Sequence, residues 1–101
     1  MKPVLWSAEA RQDYLDILQY IAADNPFAAE KVVDAIEKTG NDLGRFATGR
    51  PGRVMGTYEK SITRLPYIIA YALAAPAGRE SVIILRVILT SRDWPAEEWP
   101  R

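Results

Sequence analysis

Hydrophobic and polar positions follow two different periods along this chain. From Ala10 to Ile21 the apolar residues Ala10, Tyr14, Ile17, Leu18 and Ile21 recur at three- and four-residue steps, with Arg11, Asp13, Asp16 and Gln19 between them. That spacing predicts an amphipathic helix reaching about Ala23. Ser7 stands where it can cap the first turn, and Glu9 places a negative charge where the helix dipole favours one. Asp24-Asn25-Pro26 then breaks the pattern. Asn25 can cap a second helix whose first position is Pro26, a residue with no N–H to leave unsatisfied there. Phe27, Ala29, Val32, Val33, Ile36, Leu43 and Phe46 mark the second apolar stripe. Gly40 beside it is expected to let the two helices approach closely, at about 1 kcal/mol in helix propensity. So short a break makes an antiparallel helical hairpin.

Beyond the helices the period changes. Tyr67 to Ala75 and Ser81 to Leu89 are rich in Ile, Val, Leu and Tyr, and Pro76-Ala77-Gly78-Arg79-Glu80 separates them. β-Branched and aromatic residues around a Pro/Gly break predict a hairpin at the centre of a sheet rather than a buried helix. Pro3 to Trp6 is expected to be an edge strand. Ala47 to Gly56, ATGRPGRVMG, is expected to be a loop; it has neither the spacing nor the strand-to-helix context of a phosphate cradle. Val54 to Arg64 predicts one or two shorter, more polar strands with Lys60, Ile62 and Arg64 on one side. The resulting order, β-α-α-β-β-β, is an α+β single domain over residues 1–101: an N-terminal strand, then a helical hairpin packed on one face of a small antiparallel sheet. The opposite sheet face, carrying Arg86, is expected to be open or taken by something else.

One residue stands apart within the second long strand. Arg86 lies among Val82, Ile83, Ile84, Leu85, Val87 and Ile88. Strict alternation puts it on the side of Val82, Ile84 and Ile88, opposite Ile83, Leu85 and Val87. A guanidinium there needs an acceptor or an open groove, because burying it unpaired costs several kcal/mol. Two readings are open: contact with a carboxylate or phosphate of a partner, or an internal ion pair to a helix acid such as Asp13, to Glu80 or to Asp93.

Composition narrows the chemistry. No apolar run reaches the ~18 residues of a membrane span, and no uninterrupted apolar stretch follows the N-terminus, so a cytoplasmic location is expected. The chain has no cysteine and no histidine. Disulfides and thiol chemistry are thereby excluded, as are the commonest general base and the commonest zinc ligand. Net charge is zero but uneven: residues 1–44 carry four basic and eight acidic side chains, residues 45–101 nine and five. The basic half uses arginine almost throughout, which suits forked recognition of carboxylate or phosphate. Packing of two complementary halves explains the same asymmetry.

The order and spacing of several short motifs resemble the ParE branch of the RelE/ParE toxin superfamily over nearly the whole chain. Ser7, Ala10, Asp13, Ile17, Tyr20 and Ile21 fit its first helix; Asn25-Pro26 with Ala28-Ala29 fits the break and second helix. Gly49-Arg50-Pro51 resembles the following loop, and Arg64 with Tyr67, Ile69 and Tyr71 resembles the central strand. Ile84-Leu85-Arg86-Val87, then Arg92-Asp93-Trp94-Pro95, resembles the C-terminal signature. The resemblance implies a non-enzymatic toxin that acts on DNA gyrase, needs no cofactor or metal, and is neutralised by a co-encoded ParD-like ribbon-helix-helix antitoxin in a heterotetramer or larger complex. RelE-type relatives instead cut mRNA on the ribosome. Much of the family carries a His where this chain has Leu89, which can neither take nor give a proton. RNA cleavage beside a 2′-hydroxyl needs an acid, a base and charge stabilisation. Only Glu59, Lys60, Tyr67 or Tyr71 could supply the first two here.

On this reading the target- or antitoxin-binding residues are Arg50, Arg53, Lys60, Arg64, Arg86, Arg92 and Trp94. Tyr14, Ile17, Leu18 and Ile21 are expected to be core, with the margin of their stripe offered to an antitoxin helix.

Overall fold

The computed structural model describes residues 1–76 and 78–90. Strand β1 (Val4–Trp6) leads into helix α1 (Ala8–Ala22), and helix α2 (Pro26–Asp42) follows after a three-residue connection. Ser7 caps α1 by accepting from the Ala10 N–H at 3.0 Å, and Asn25 caps α2 by accepting from the Ala28 N–H at 3.1 Å. Strands β2 (Arg50–Pro51), β3 (Tyr58–Ser61), β4 (Tyr67–Ala74) and β5 (Ser81–Leu89) complete the sheet, in the order β1-β5-β4-β3-β2. The two longest apolar runs thus become the neighbouring interior strands β4 and β5. Among the described residues, no helix is long and apolar enough to cross a membrane.

The expected α+β architecture is present with two refinements. The sheet is mixed, because β1 runs parallel to β5 while every other pairing is antiparallel. The loop expected at Ala47 to Gly56 contributes the short strand β2, which pairs Arg50 with Glu59 and Pro51 with Tyr58. Proline in a two-residue edge strand fits its missing donor.

The main core lies between the helical hairpin and one sheet face. Ala10, Ile36 and Leu43 from the helical side meet Ile62, Tyr67, Ile69, Tyr71, Val82, Ile84 and Val87. Phe27 and Phe46, expected on the second stripe, are instead 80% and 68% exposed. Phe27 lies on the first turn and Phe46 beyond the last, and neither joins the main core. Gly40 seats a strand rather than a helix: a Cβ there would lie 2.5 Å from the Trp6 ring. A Cβ on Gly44, four residues on, would meet the Lys2 carbonyl at 2.5 Å. These two glycines let the end of α2 lie against β1.

The second sheet face is not open. Ala70 and Ile88 form a smaller buried cluster there, and Val54 from the loop after β2 packs onto it. An apolar residue placed mid-loop among glycines and arginines folds back over the sheet, so of the two expectations for this face, open or covered, the chain's own loop covers this part of it.

Candidate functional site

Strand β5 departs from strict alternation. Ala70 pairs with Arg86 but Tyr71 pairs with Ile84, so Leu85 is one residue extra. The bulge breaks the face assignment made from sequence: Ile84 and Val87 both join the helix-side core, while Ile88 joins the opposite cluster. Bulges leave ladder groups unpaired and re-aim side chains. Past Trp6, moreover, no strand among the described residues pairs with β5 on that side. Helix α1 supplies the missing partners: the Ser7 hydroxyl donates to the Leu85 carbonyl at 2.9 Å, and the Asp13 carboxylate accepts from the Val87 N–H at 2.9 Å.

Asp13 also receives Arg86. The guanidinium donates to it through Nε at 2.7 Å and through a terminal nitrogen at 2.9 Å, a two-pronged pair with both side chains less than a fifth exposed. Of the two readings the sequence left open for Arg86, the internal pair to a helix acid is present. The pair forms the wall of a cleft of about 470 Å³ between α1 and the end of β5, shared with Asp16, Ile17, Tyr20, Tyr67 and Leu89. Tyr20 and Leu89 rim it at 82% and 39% exposure. Burial, helped by nearby Tyr20, pushes the Tyr67 phenol above its ordinary value.

The remaining basic residues do not share one groove. Arg50 and Arg53 converge on Glu59 from the second face: Arg53 donates its backbone N–H at 3.1 Å and Nε at 3.3 Å, and Arg50 lies 3.6 Å away. Glu59 is 6% exposed, so this carboxylate pins the loop carrying Val54 to the sheet. Lys60 points to the helix side, its strand position opposite the core residue Ile69. Arg64 lies beyond β3 in the turn to β4, exposed, at φ 65°, and not on a strand face with Lys60 and Ile62 as expected. Arg92 and Trp94 lie outside the described residues.

On the helices, Tyr14 and Ile17 are half-buried against the main core, and Tyr14 meets Trp6 edge-on at 6.2 Å. Leu18 and Ile21 are half-buried. Ile21 shares a second hollow with Tyr20, Asp24, Asn25 and Ala28. The apolar margin of α1 therefore places Ile17, Tyr20 and Ile21 along these two hollows. Tyr20 was legible from sequence only as part of a motif, not as an exposed aromatic. Tyr71, by contrast, is consumed by the fold. It stacks on Tyr58 at 5.5 Å and donates to the Thr48 carbonyl at 2.7 Å, and burial, then Tyr58, raises its phenol above the ordinary value.

Residues 4–94 match the family described as the ParE toxin of the type II toxin–antitoxin system parDE. The chain belongs to this ParE toxin family. A candidate toxin of Sinorhizobium fredii, Y4kP, is 35% identical over 95 residues, covering 93% of this chain and 94% of that protein. Among solved structures, the chromosomal ParDE toxin–antitoxin system of P. aeruginosa is similar at TM-score 0.77 and 25% identity, over 86% of this chain and 94% of that one. The RelBE2 toxin–antitoxin complex of Mycobacterium tuberculosis shares the fold at TM-score 0.60 and 24% identity, over 85% and 94%. This ParE-family chain is thus a RelE/ParE superfamily toxin, the toxin component of a type II toxin–antitoxin system. That membership rests on the whole chain and does not depend on a free Arg86.

Proposed function

We propose that this toxin blocks replication by binding DNA gyrase without chemistry of its own, and that a ParD-like antitoxin neutralises it in the cytoplasm. The observation that carries the non-enzymatic reading is that the candidate proton carriers do not converge on one site. Glu59 is buried beneath two arginines. Tyr67 and Tyr71 have raised pKa values, so both hold their protons at neutral pH. Lys60 stands on the helix side of the sheet, away from Glu59, Arg50 and Arg53 on the other. Position 89, where relatives carry His, is Leu. Acid–base cleavage of RNA needs two such groups converging within hydrogen-bond reach of one phosphate.

Antitoxin docking is best supported along the α1 margin, where Ile17, Tyr20, Ile21 and Leu89 offer apolar surface beside the hollows. An amphipathic segment laid there would bury a central aromatic, the usual anchor of such a contact. Arg64 and Lys60, together with Arg92 and Trp94 of the C-terminal segment, remain the proposed contacts to gyrase or to acidic antitoxin residues. Arg50, Arg53 and Arg86 act on this account by fixing the surfaces around them.

Pulse labelling after induction of the toxin tests the reading. A gyrase-directed toxin stops thymidine incorporation first, with methionine incorporation following. The alternative, a RelE-like ribosome-dependent endoribonuclease, stops methionine incorporation first and leaves cuts in translated mRNA that primer extension maps. Co-expression of the adjacent antitoxin reading frame restores growth in either case.

A further inference from the structure

On the helix side, remote from the Arg86 cleft, a groove of about 710 Å³ opens between the C-terminal half of α2 and the end of β3. Its apolar lining includes Leu43 and Ile62, both buried members of the main core. Phe46 lines it while remaining 68% exposed, which leaves an aromatic face accessible. Three cations border the space. Lys38 is neutralised by Asp42 at 3.1 Å, the only acid among the described lining residues. Arg45 and Lys60 have no acidic partner among the described residues. Thr39, Thr48, Ser61 and Thr63, each with a hydroxyl able to donate a hydrogen bond, also line it.

Two uncompensated cations beside hydroxyl donors suit a phosphate more closely than a lone carboxylate, because a phosphate carries more charge and more acceptor oxygens. The aromatic face adds what a bare anion does not need, a platform on which a base can stack. The dimensions fall within the range of small-ligand clefts rather than that of a duplex track. A chain with zero net charge also lacks the broad basic stripe that binding a long nucleic acid demands. We propose that this groove binds a single nucleotide unit, its phosphate held by Lys60 and Arg45 and its base against Phe46, supplied either as a free nucleotide or by a short single strand. The site shares Lys60 with the proposed gyrase or antitoxin contacts but does not rest on them: binding of a nucleotide by the isolated chain can succeed or fail whether or not the toxin inhibits gyrase.

Titration of the purified full chain by calorimetry and by amide chemical shifts tests this, with inorganic phosphate, UMP, AMP, a tetranucleotide of single-stranded RNA and a tetraglutamate peptide as probes. UMP or AMP should bind about fivefold or more tighter than inorganic phosphate, as stacking on one aromatic implies. Phe46→Ala should bring the nucleotides down to the phosphate level. Lys60→Ala and Arg45→Ala should each weaken phosphate and nucleotide alike, by about tenfold. Lys60→Gln and Arg45→Gln serve if an alanine variant melts early. Equal affinity for AMP and the tetranucleotide assigns the site to free nucleotides, and a tighter tetranucleotide assigns it to strands. Three results overturn the proposal: no saturable binding of phosphate or nucleotide, binding indifferent to Lys60 and Arg45, or preference for tetraglutamate, which would make the groove a protein contact.

Discussion

Replacing Asp13 by alanine removes three acceptor contacts in one step, two to the Arg86 guanidinium and one to the Val87 N–H. Both groups lose the Asp13 acceptor. The guanidinium is mostly buried, and the Val87 N–H points to the side of β5 where β1 has already ended. Removing one partner of a buried ion pair costs about 3–5 kcal/mol, and an orphaned backbone donor about 1–3 kcal/mol. Partial exposure of both side chains and overlap of the two terms bring the expected loss to about 3–4 kcal/mol. That is a large share of the roughly 5–15 kcal/mol that holds a domain of this size folded. It corresponds to a fall in Tm of about 15 °C. Arg86→Ala should cost less, about 2 kcal/mol, because Asp13 keeps its bond to Val87. The double variant should cost clearly less than the sum, with a coupling of about 2 kcal/mol. Urea and thermal melts of the four proteins followed by circular dichroism supply the comparison. A loss below about 1 kcal/mol for Asp13→Ala, or additivity of the two changes, would refute the view that this pair fastens α1 to the bulged strand.

Other outcomes follow from the same structure. Tyr20→Asp, at an exposed position, should leave stability within about 0.5 kcal/mol yet weaken antitoxin binding at least about tenfold in a titration; unchanged affinity moves the antitoxin off the α1 margin. Gly40→Ala should destabilise by about 1–3 kcal/mol despite the better helix propensity of alanine, since the added methyl meets the Trp6 indole; a more stable variant would show that the ring gives way freely. The raised pKa values of Tyr67 and Tyr71 mean that the folded state holds their protons more tightly than the unfolded chain. Stability should therefore be intact below the ordinary phenol value of 10.0 and fall as pH rises above it, and Tyr71→Phe should flatten that fall. Arg64→Gly, at φ 65°, should be neutral or stabilising by up to about 1 kcal/mol, and a loss of growth arrest with stability kept would assign the side chain to target binding.

Elements governed by local rules were legible in the sequence. Both helices start at the caps read from Ser7 and Asn25, and the long hairpin falls within a residue of its expected bounds. What depended on pairing between distant segments was not. Alternation along β5 fails at Leu85, because a bulge is a property of two strands and leaves no local mark. The second face looked bare because one valine in a loop of glycines and arginines gives no periodic signal, yet Val54 covers it and Glu59 holds its loop in place. Arg86 could be read as unable to stay unpaired, but not as paired, and Asp13 was one of several acids in reach. The groove at Arg45 and Lys60 joins residues fifteen positions apart on a helix exit and a strand end, a juxtaposition that only the fold creates.

The central claim, a toxin that acts on gyrase by binding alone, is tested most directly by supercoiling of relaxed plasmid with purified gyrase and increasing amounts of this protein. Inhibition should set in near stoichiometric toxin, disappear when antitoxin is added first, and leave added mRNA uncut. Normal supercoiling at large excess, with cleavage of mRNA on translating ribosomes, would contradict it.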